Sequence, residues 1–113
     1  MITIYHNNRC SKSRSALKLL DDSGKPYEVI NYLEAIPSAK ELTKIIELLK
    51  IKPIEMVRKN EAIWKENFKN KDFSDKELIN IMVKHPKLIE RPIVINGNKA
   101  IIGRPPEQVF DIL

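Results

Sequence analysis

The start of the chain alternates between the hydrophobic patterns of strand and helix. Residues 2–5 (ITIY) form a short apolar run with β-branched side chains, which is typical of a buried strand. Residues 11–23 carry apolar side chains at helical spacing, and the Gly-Lys-Pro sequence at 24–26 ends that helix. Residues 27–32 (YEVINY) have the pattern of a second strand. This order predicts a βαβ unit with parallel strands and a right-handed crossover.

The middle of the chain has the pattern of several helices. Ser38 and Ser74 each begin a Ser-x-x-Glu capping box, and apolar residues at helical spacing follow both. A short helix is predicted around 54–58. Trp64 and Phe68 lie four residues apart, so a helix would place them on one face, and packing in the core is their favoured role.

The last third of the chain returns to strands. Residues 92–95 (PIVI) and 99–102 (KAII) flank Asn96-Gly97, and both of these residues tolerate the positive φ of tight hairpin turns. A Pro-Pro pair then opens a final helix, whose buried side is predicted to carry Val109, Phe110 and Leu113.

These elements follow the order of a thioredoxin-like domain: a βαβ unit, then a β-hairpin and a helix, with an additional helical segment at about 33–86 between them. We therefore predict an α/β fold of the thioredoxin-like type, with an inserted helical segment and a mixed four-stranded sheet. The length of 113 residues indicates a single domain over 1–113.

Composition restricts the class of protein further. The chain is 42% hydrophobic and 31% charged, as in ordinary soluble globular proteins, and it contains no apolar run near the roughly 20 residues of a membrane span. The N-terminus lacks the pattern of a signal peptide. The single cysteine allows no internal disulfide, which indicates a reducing compartment, the cytoplasm. We expect a monomer, with no membrane partner and no metal site.

The charge does not indicate a nucleic-acid partner. The net charge is +5, but the lysines are dispersed, no run of five or six like charges occurs, and no motif interleaves aromatic and basic residues. The five arginines are the more informative cations because their planar guanidinium suits oxyanions. Taken alone, however, Arg58, Arg91 and Arg104 would be assigned to surface salt bridges.

Cys10 stands where the first strand passes into the first helix, in the sequence HNNRCSKSR. Unpaired backbone N–H groups and the helix dipole lower the pKa of a thiol at a helix N-terminus. Arg9, Lys12 and Arg14 are expected to act in the same direction, and His6 to serve as a proton acceptor or a further positive neighbour. These polar neighbours favour a reactive thiolate over a buried structural cysteine.

Spacing excludes two common chemistries of such a thiolate. A phosphatase loop needs C-x5-R, but Ala16 occupies the arginine position. A dithiol oxidoreductase needs C-x-x-C, but Ser13 occupies the position of the second cysteine. A one-thiol mechanism remains, in which an external thiol completes the reaction.

Four motifs, in order along the chain, carry a resemblance to a known family. They are Y-H-N-x-x-C-S-K-S-R, M-V-R-K-N around Arg58, E-R-P-I-V around Arg91 and I-G-R-P at Arg104, and V-F-D-I-L closes the chain. The sequence resembles the ArsC/Spx family, specifically its short, glutaredoxin-linked arsenate reductases. The resemblance covers essentially the whole chain.

The resemblance implies a thioredoxin-like fold with an inserted helical segment and Cys10 as the catalytic nucleophile. It implies that His6 influences the thiolate and that the Arg91-Pro92 peptide bond is cis. The substrate oxyanion would be bound by Arg58, Arg91 and Arg104, and the supporting residues would be His6, Ser13, Arg14 and Pro92. One departure is Asn8, since many family members have proline there.

The function implied by the resemblance is reduction of arsenate to arsenite by the Cys10 thiolate. Glutathione would be the co-substrate and glutaredoxin the protein partner, with no bound cofactor. Two alternatives remain open at this point. One is an Spx-like transcriptional regulator that binds RNA polymerase, although Ser13 removes the usual C-x-x-C switch. The other is a glutathione-dependent thiol reductase without arsenate activity.

Overall fold

The computed structural model describes all 113 residues, and the chain forms two compact units. Residues Met1–Ala35 and Arg91–Leu113 make a unit that contains the sheet, and residues Ile36–Glu90 make a helical unit. The helical unit includes most of the segment at about 33–86 in which the sequence predicts an insertion. The single domain over 1–113 stays a prediction. No helix is both long and apolar enough to cross a membrane.

The sheet unit is built on four strands in the spatial order β2-β1-β3-β4. Strand β1 pairs in parallel with β2 and antiparallel with β3, and β3 pairs antiparallel with β4. The predicted fold class is therefore confirmed: the fold is α/β and thioredoxin-like, with a mixed sheet. The strands are β1 (Ile2–His6), β2 (Tyr27–Asn31), β3 (Ile93–Asn96) and β4 (Lys99–Ile102).

Helix α1 (Ser11–Asp22) connects the two parallel strands and packs on one face of the sheet. Its apolar positions Ala16 and Leu20 are fully buried, as their helical spacing predicts. Each large aliphatic side chain buried in this way contributes roughly 1.5–3 kcal/mol relative to an exposed one. The buried residues that form this hydrophobic core are Ile2, Ile4, Ala16, Leu20, Val94 and Val109.

Two helices of the helical unit begin with capping boxes, as predicted. The side chain of Ser38 accepts from the N–H of Glu41 at 3.1 Å, and the Glu41 carboxylate accepts from the N–H of Ser38 at 3.4 Å. Ser74 and Glu77 make the same reciprocal pair at 3.2 and 2.9 Å. These bonds satisfy N–H groups that would otherwise be unpaired at the helix starts. The helices of the unit are α2 (Ala39–Leu49), α3 (Ala62–Asn67) and α4 (Asp75–Lys84).

Aromatic side chains pack together inside the helical unit. Trp64 on α3 is buried, and its ring centroid lies 5.6 Å from that of Phe68, which is half-buried. Phe68 also contacts Phe73 and His85, with ring centroids 5.9 and 5.7 Å apart. The core role predicted for Trp64 is confirmed. The short helix expected at 54–58 is a 3₁₀ helix, Pro53–Met56.

The structure corrects the prediction for the hairpin turn. Asn96 pairs with Lys99 as the last pair of the β3–β4 ladder, so Gly97 and Asn98 form the turn instead of Asn96 and Gly97. Only the first turn residue has a positive φ, which is 63° at Gly97. Asn96 instead donates through its side chain to the carbonyl of Ile112 at 2.6 Å, and this bond ties the hairpin to the C-terminal segment.

The structure also corrects the final helix. It is a 3₁₀ helix, Pro106–Ile112, in which Val109 is fully buried but Phe110 is 56% exposed. A 3₁₀ helix has three residues per turn, so Val109 and Ile112 share a face and Phe110 points away from it. The prediction that Phe110 lies on the buried side assumed α-helical spacing and is wrong.

Candidate active site

Cys10 is the residue that precedes the first turn of α1, as the sequence predicts. Strand β1 ends at His6, and Cys10 has extended backbone angles (φ −96°, ψ 121°) at the N-cap of the helix. Its N–H donates to the carbonyl of Asn7 at 3.0 Å, and its carbonyl accepts from the N–H of Arg14 at 3.0 Å. The chain therefore reverses tightly at residues 7–10 and aligns the thiol with the unpaired N–H groups of the helix start.

The surroundings of the Cys10 thiol lower its pKa. Partial burial alone would raise the pKa, since it disfavours the charged form. Hydrogen bonds from the backbone N–H groups of Ser13 and Lys12 favour the thiolate, as do a hydrogen bond and the positive charge from Arg91, and together they outweigh burial. The guanidinium that lowers the pKa of the thiol is thus that of Arg91, which is distant in the sequence, and not that of the neighbouring Arg9 or Arg14, as was expected.

Arg104 also reaches the sulfur. Its Nη1 atom lies 3.8 Å from Sγ of Cys10 and donates to the carbonyl of Arg91 at 3.2 Å. One side chain thereby contacts both the nucleophile and the backbone of the second arginine. An oxyanion bound at the sulfur would meet this pair of guanidinium groups, which are the side chains best suited to oxyanion geometry.

The sheet topology explains why these residues converge. Tyr5 near the end of β1 pairs with Ile93 at the start of β3, and Ile93 pairs with Ile102 at the end of β4. The segments that follow β1, precede β3 and follow β4 therefore emerge at the same end of the sheet. These segments carry Cys10, Arg91 and Arg104 respectively.

Two X-Pro bonds at this end of the sheet are cis. The Arg91-Pro92 bond is cis, which confirms the prediction, and the Arg104-Pro105 bond is also cis, which was not predicted.

The segment before Arg104 packs closely against Pro92. Gly103 donates its N–H to the carbonyl of Pro92 at 2.9 Å. A Cβ added to Gly103 would lie 3.0 Å from Cγ of Pro92, so the close approach of the two segments favours glycine there.

Ser13 has a structural role in addition to its place in the Cys10 motif. It is fully buried, its Oγ lies 2.6 Å from Nδ1 of His6, and it accepts from the N–H of Asn7 at 3.0 Å. The hydroxyl thus connects the end of β1, the reversal after it and helix α1. The signal was present in the spacing, since Ser13 lies on the same helical face as Ala16 and Leu20.

His6 is buried beside this serine, and its pKa is lowered. Burial disfavours the imidazolium, and the positive charge of Arg14 acts in the same direction. His6 is therefore neutral at neutral pH and is not a positive neighbour of the thiolate. Arg14 itself is exposed and donates from Nη1 to the carbonyl of Asn8 at 2.9 Å, which stabilises the reversal before Cys10.

Arg58 belongs to the helical unit, whereas Cys10, Arg91 and Arg104 belong to the sheet unit. Its guanidinium forms ion pairs with Glu61 at 3.3 Å and Glu90 at 3.6 Å. A backbone bridge between Val57 and Ile89 brings the segments of Arg58 and Glu90 together. Glu61 follows Arg58 at helical spacing and could have been found from the sequence, but no sequence signal pairs Glu90 with Arg58.

The fold and this site together describe a thioredoxin-like protein in which one cysteine occupies the N-cap position of the first helix. Two arginines contact the sulfur or stabilise its negative charge, and a buried serine occupies the position of a second thiol. No group of three or more His, Cys, Asp or Glu side chains is arranged to hold a metal ion.

Comparison with known proteins then assigns the family. The ArsC family model matches residues 5–112, and the chain belongs to that family. It is 46% identical to YfgD of Escherichia coli K12, an uncharacterized protein, over 99% of this chain and 96% of that protein. It is also 46% identical to the arsenate reductase of Haemophilus influenzae, over 99% of this chain and 98% of that protein.

The solved structures agree with this assignment. The arsenate reductase from Vibrio cholerae superimposes with a TM-score of 0.94 at 46% sequence identity, and the match covers 99% of this chain and 97% of that one. Both the fold and its length are therefore shared with a protein described as an arsenate reductase.

Proposed function

We propose that the protein is an arsenate reductase that uses Cys10 as its nucleophile, with glutathione and glutaredoxin as reductants. The observation that carries the proposal is the placement of Arg104 Nη1 at 3.8 Å from Sγ of Cys10, beside the Arg91 charge that lowers the pKa of the thiol. The similarity to arsenate reductases over nearly the full chain supports arsenate as the substrate.

In the first step, the tetrahedral oxyanion binds against Arg91, Arg104 and the N–H groups at the start of α1. The Cys10 thiolate forms a bond to As(V), and one arsenate oxygen takes up protons and leaves as water. Guanidinium groups that are already in position stabilise the negative charge on the remaining oxygens without reorganising during the reaction. The resemblance adds Arg58 as a further proposed oxyanion ligand.

In the second step, the external thiol supplies the missing partner. The glutathione thiolate attacks Sγ of Cys10 and forms a disulfide bond. The S–As bond breaks, and its electron pair stays on arsenic, which is thereby reduced from As(V) to As(III) and released as arsenite. Glutaredoxin then attacks the glutathione sulfur and releases the Cys10 thiolate. Each turnover therefore consumes two thiols, forms one disulfide and releases one water.

Ser13 is the reason that the second thiol must come from outside. Its position in the C-x-x-C pattern holds a hydroxyl, which is buried and bonded to His6, so no sulfur of this chain can resolve the mixed disulfide. Glutathione at high concentration is a property of reducing compartments, which supports a cytoplasmic location. We propose that the protein acts there as a monomer.

The test is a reconstituted assay of arsenate-dependent NADPH oxidation with glutathione, glutaredoxin and glutathione reductase. The wild-type protein should sustain turnover. The Cys10→Ser variant should sustain none while its far-UV circular dichroism stays unchanged. Turnover by Cys10→Ser would overturn the mechanism. A wild-type protein that is inactive with arsenate but co-purifies with RNA polymerase would instead support the regulatory alternative.

A further inference from the structure

A polar cavity lies at the carboxyl ends of the two parallel strands. It has a volume of about 350 Å³ and is lined by His6 and the following residues Asn7, Asn8 and Arg9, and by Asn31, Leu33 and Glu34 after β2. Crevices at the carboxyl ends of parallel strands are common ligand sites in α/β proteins, and this volume falls within the usual range of small-molecule pockets. The lining residues after β1 extend to Arg9, which precedes Cys10 in the chain.

The cavity contains two opposite charges that are not paired. Arg9 and Glu34 are both exposed, and neither has a salt-bridge partner within 4 Å or a side-chain hydrogen bond. Their backbones, in contrast, are held. The N–H of Arg9 donates to Oδ1 of Asn7 at 3.0 Å, and the N–H of Glu34 donates to the carbonyl of Asn31 at 2.9 Å. The two segments thus place a cation and an anion in the lining of one cavity.

This charge arrangement selects a class of ligand. A simple anion would be attracted by Arg9 and repelled by Glu34. A simple cation would be attracted by Glu34 and repelled by Arg9. A zwitterion that carries an ammonium and a carboxylate on one carbon satisfies both side chains at once. The head group of an amino acid has this chemistry.

We propose that this cavity binds the amino-acid head group of the thiol co-substrate, with its carboxylate on Arg9 and its ammonium on Glu34. The inference rests on the proposed function, which requires an external thiol at Cys10. Among cellular thiols, glutathione carries such a head group on its terminal γ-glutamyl residue, which is joined to the central cysteine that bears the thiol. The thiol of glutathione is carried by the residue joined to this γ-glutamyl group, and the cavity lining includes Arg9, the residue before Cys10.

The direct test is binding of S-methylglutathione, which keeps both charges of the head group but cannot react with Cys10. Titration calorimetry should show saturable binding to the wild-type protein. Arg9→Gln and Glu34→Gln should each raise Kd about two- to fivefold, as expected for an exposed ion pair, and the double variant about tenfold. Lys99→Gln and Asp111→Asn, which change exposed charges elsewhere in the same unit, should leave Kd unchanged.

A kinetic test separates this inference from the proposed function. With arsenate as substrate, Arg9→Gln and Glu34→Gln should raise KM for glutathione but leave the rate with 2-mercaptoethanol, which has no head group, unchanged. Turnover with both thiols but an unaltered KM for glutathione in these variants would overturn the head-group site alone. No arsenate turnover with either thiol would overturn the proposed function, while the binding titration would still report on the cavity.

Discussion

The guanidinium of Arg104 lies 3.8 Å from Sγ of Cys10, although the two residues are 94 positions apart in the chain. The same nitrogen donates to the carbonyl of Arg91 at 3.2 Å, and the charge of Arg91 favours the thiolate. The guanidinium of Arg104 therefore contacts both the nucleophile, Cys10, and the backbone of Arg91, the residue that lowers the pKa of the thiol. This relationship separates the roles of the two arginines and makes them testable one at a time.

Replacing Arg104 with alanine should lower kcat/KM for arsenate by about 10- to 100-fold, since a hydrogen bond to a charged group contributes roughly 1.5–3 kcal/mol. Arg104→Lys should recover only part of the loss because a lysine keeps the charge but not the planar fork. Steady-state kinetics with arsenate measures both variants, and urea unfolding checks that they fold. Equal kcat/KM for Arg104→Ala and wild type would exclude Arg104 from the oxyanion site.

Replacing Arg91 with glutamine should raise the pKa of Cys10, because the variant loses the positive charge and weakens the side-chain hydrogen bond that favour the thiolate. The rate of alkylation by iodoacetamide near pH 7 should fall, by about tenfold for each unit of pKa. The measurement is the alkylation rate as a function of pH, with Lys99→Gln as the charge-matched control. A profile that superimposes on that of the wild type would show that Arg91 does not activate the thiol.

Replacing Ser13 with alanine should destabilise the fold by about 1–3 kcal/mol, because the buried imidazole of His6 and the N–H of Asn7 would each lose a partner. The change should appear as a lower midpoint of urea unfolding. Ser11→Ala, at an exposed position of the same helix, is the control and should unfold near the wild-type midpoint. If the two variants unfold alike, the hydroxyl of Ser13 is not a structural link.

The free energy of unfolding should fall as the pH is lowered below about 6.5. The pKa of His6 in the folded protein lies below the ordinary histidine value of 6.5, so the unfolded chain binds the proton first on acidification. The contribution of neutral His6 to the free energy of unfolding is fully present above pH 6.5. This contribution is lost as the pH falls from 6.5 toward the pKa of His6 in the folded protein. Urea unfolding between pH 7 and 5 measures the slope.

A His6→Asn variant provides the control for that pH dependence. Because asparagine does not titrate, the part of the slope between pH 6.5 and the folded-state pKa should disappear, whatever the absolute stability of the variant. Arg14→Gln should reduce the slope partially, since the charge of Arg14 also lowers the pKa of His6. An unchanged slope in His6→Asn would assign the pH dependence to other groups.

Much of the fold follows from short-range sequence patterns. The capping boxes at Ser38 and Ser74 form as predicted because both of their partners lie within three residues, so no distant contact is needed. The errors arose where spacing alone could not choose between structures. Phe110 is exposed because the C-terminal segment is 3₁₀ and not α-helical, and the hairpin turn is shifted by one residue because the ladder continues through Asn96.

The candidate site divides in the same way. The N-cap position of Cys10 and the replacement of a second thiol by Ser13 can be derived from the sequence alone, since both are properties of neighbouring residues. The contact of Arg104 with the sulfur and the hydrogen bond between Ser13 and His6, in contrast, are seen only in the folded chain. Those contacts depend on strands β1, β3 and β4 ending and beginning at one end of the sheet, and on how the helix packs against it. The physical reason is that pairing and packing of distant segments place these groups, whereas local hydrogen bonding places Cys10.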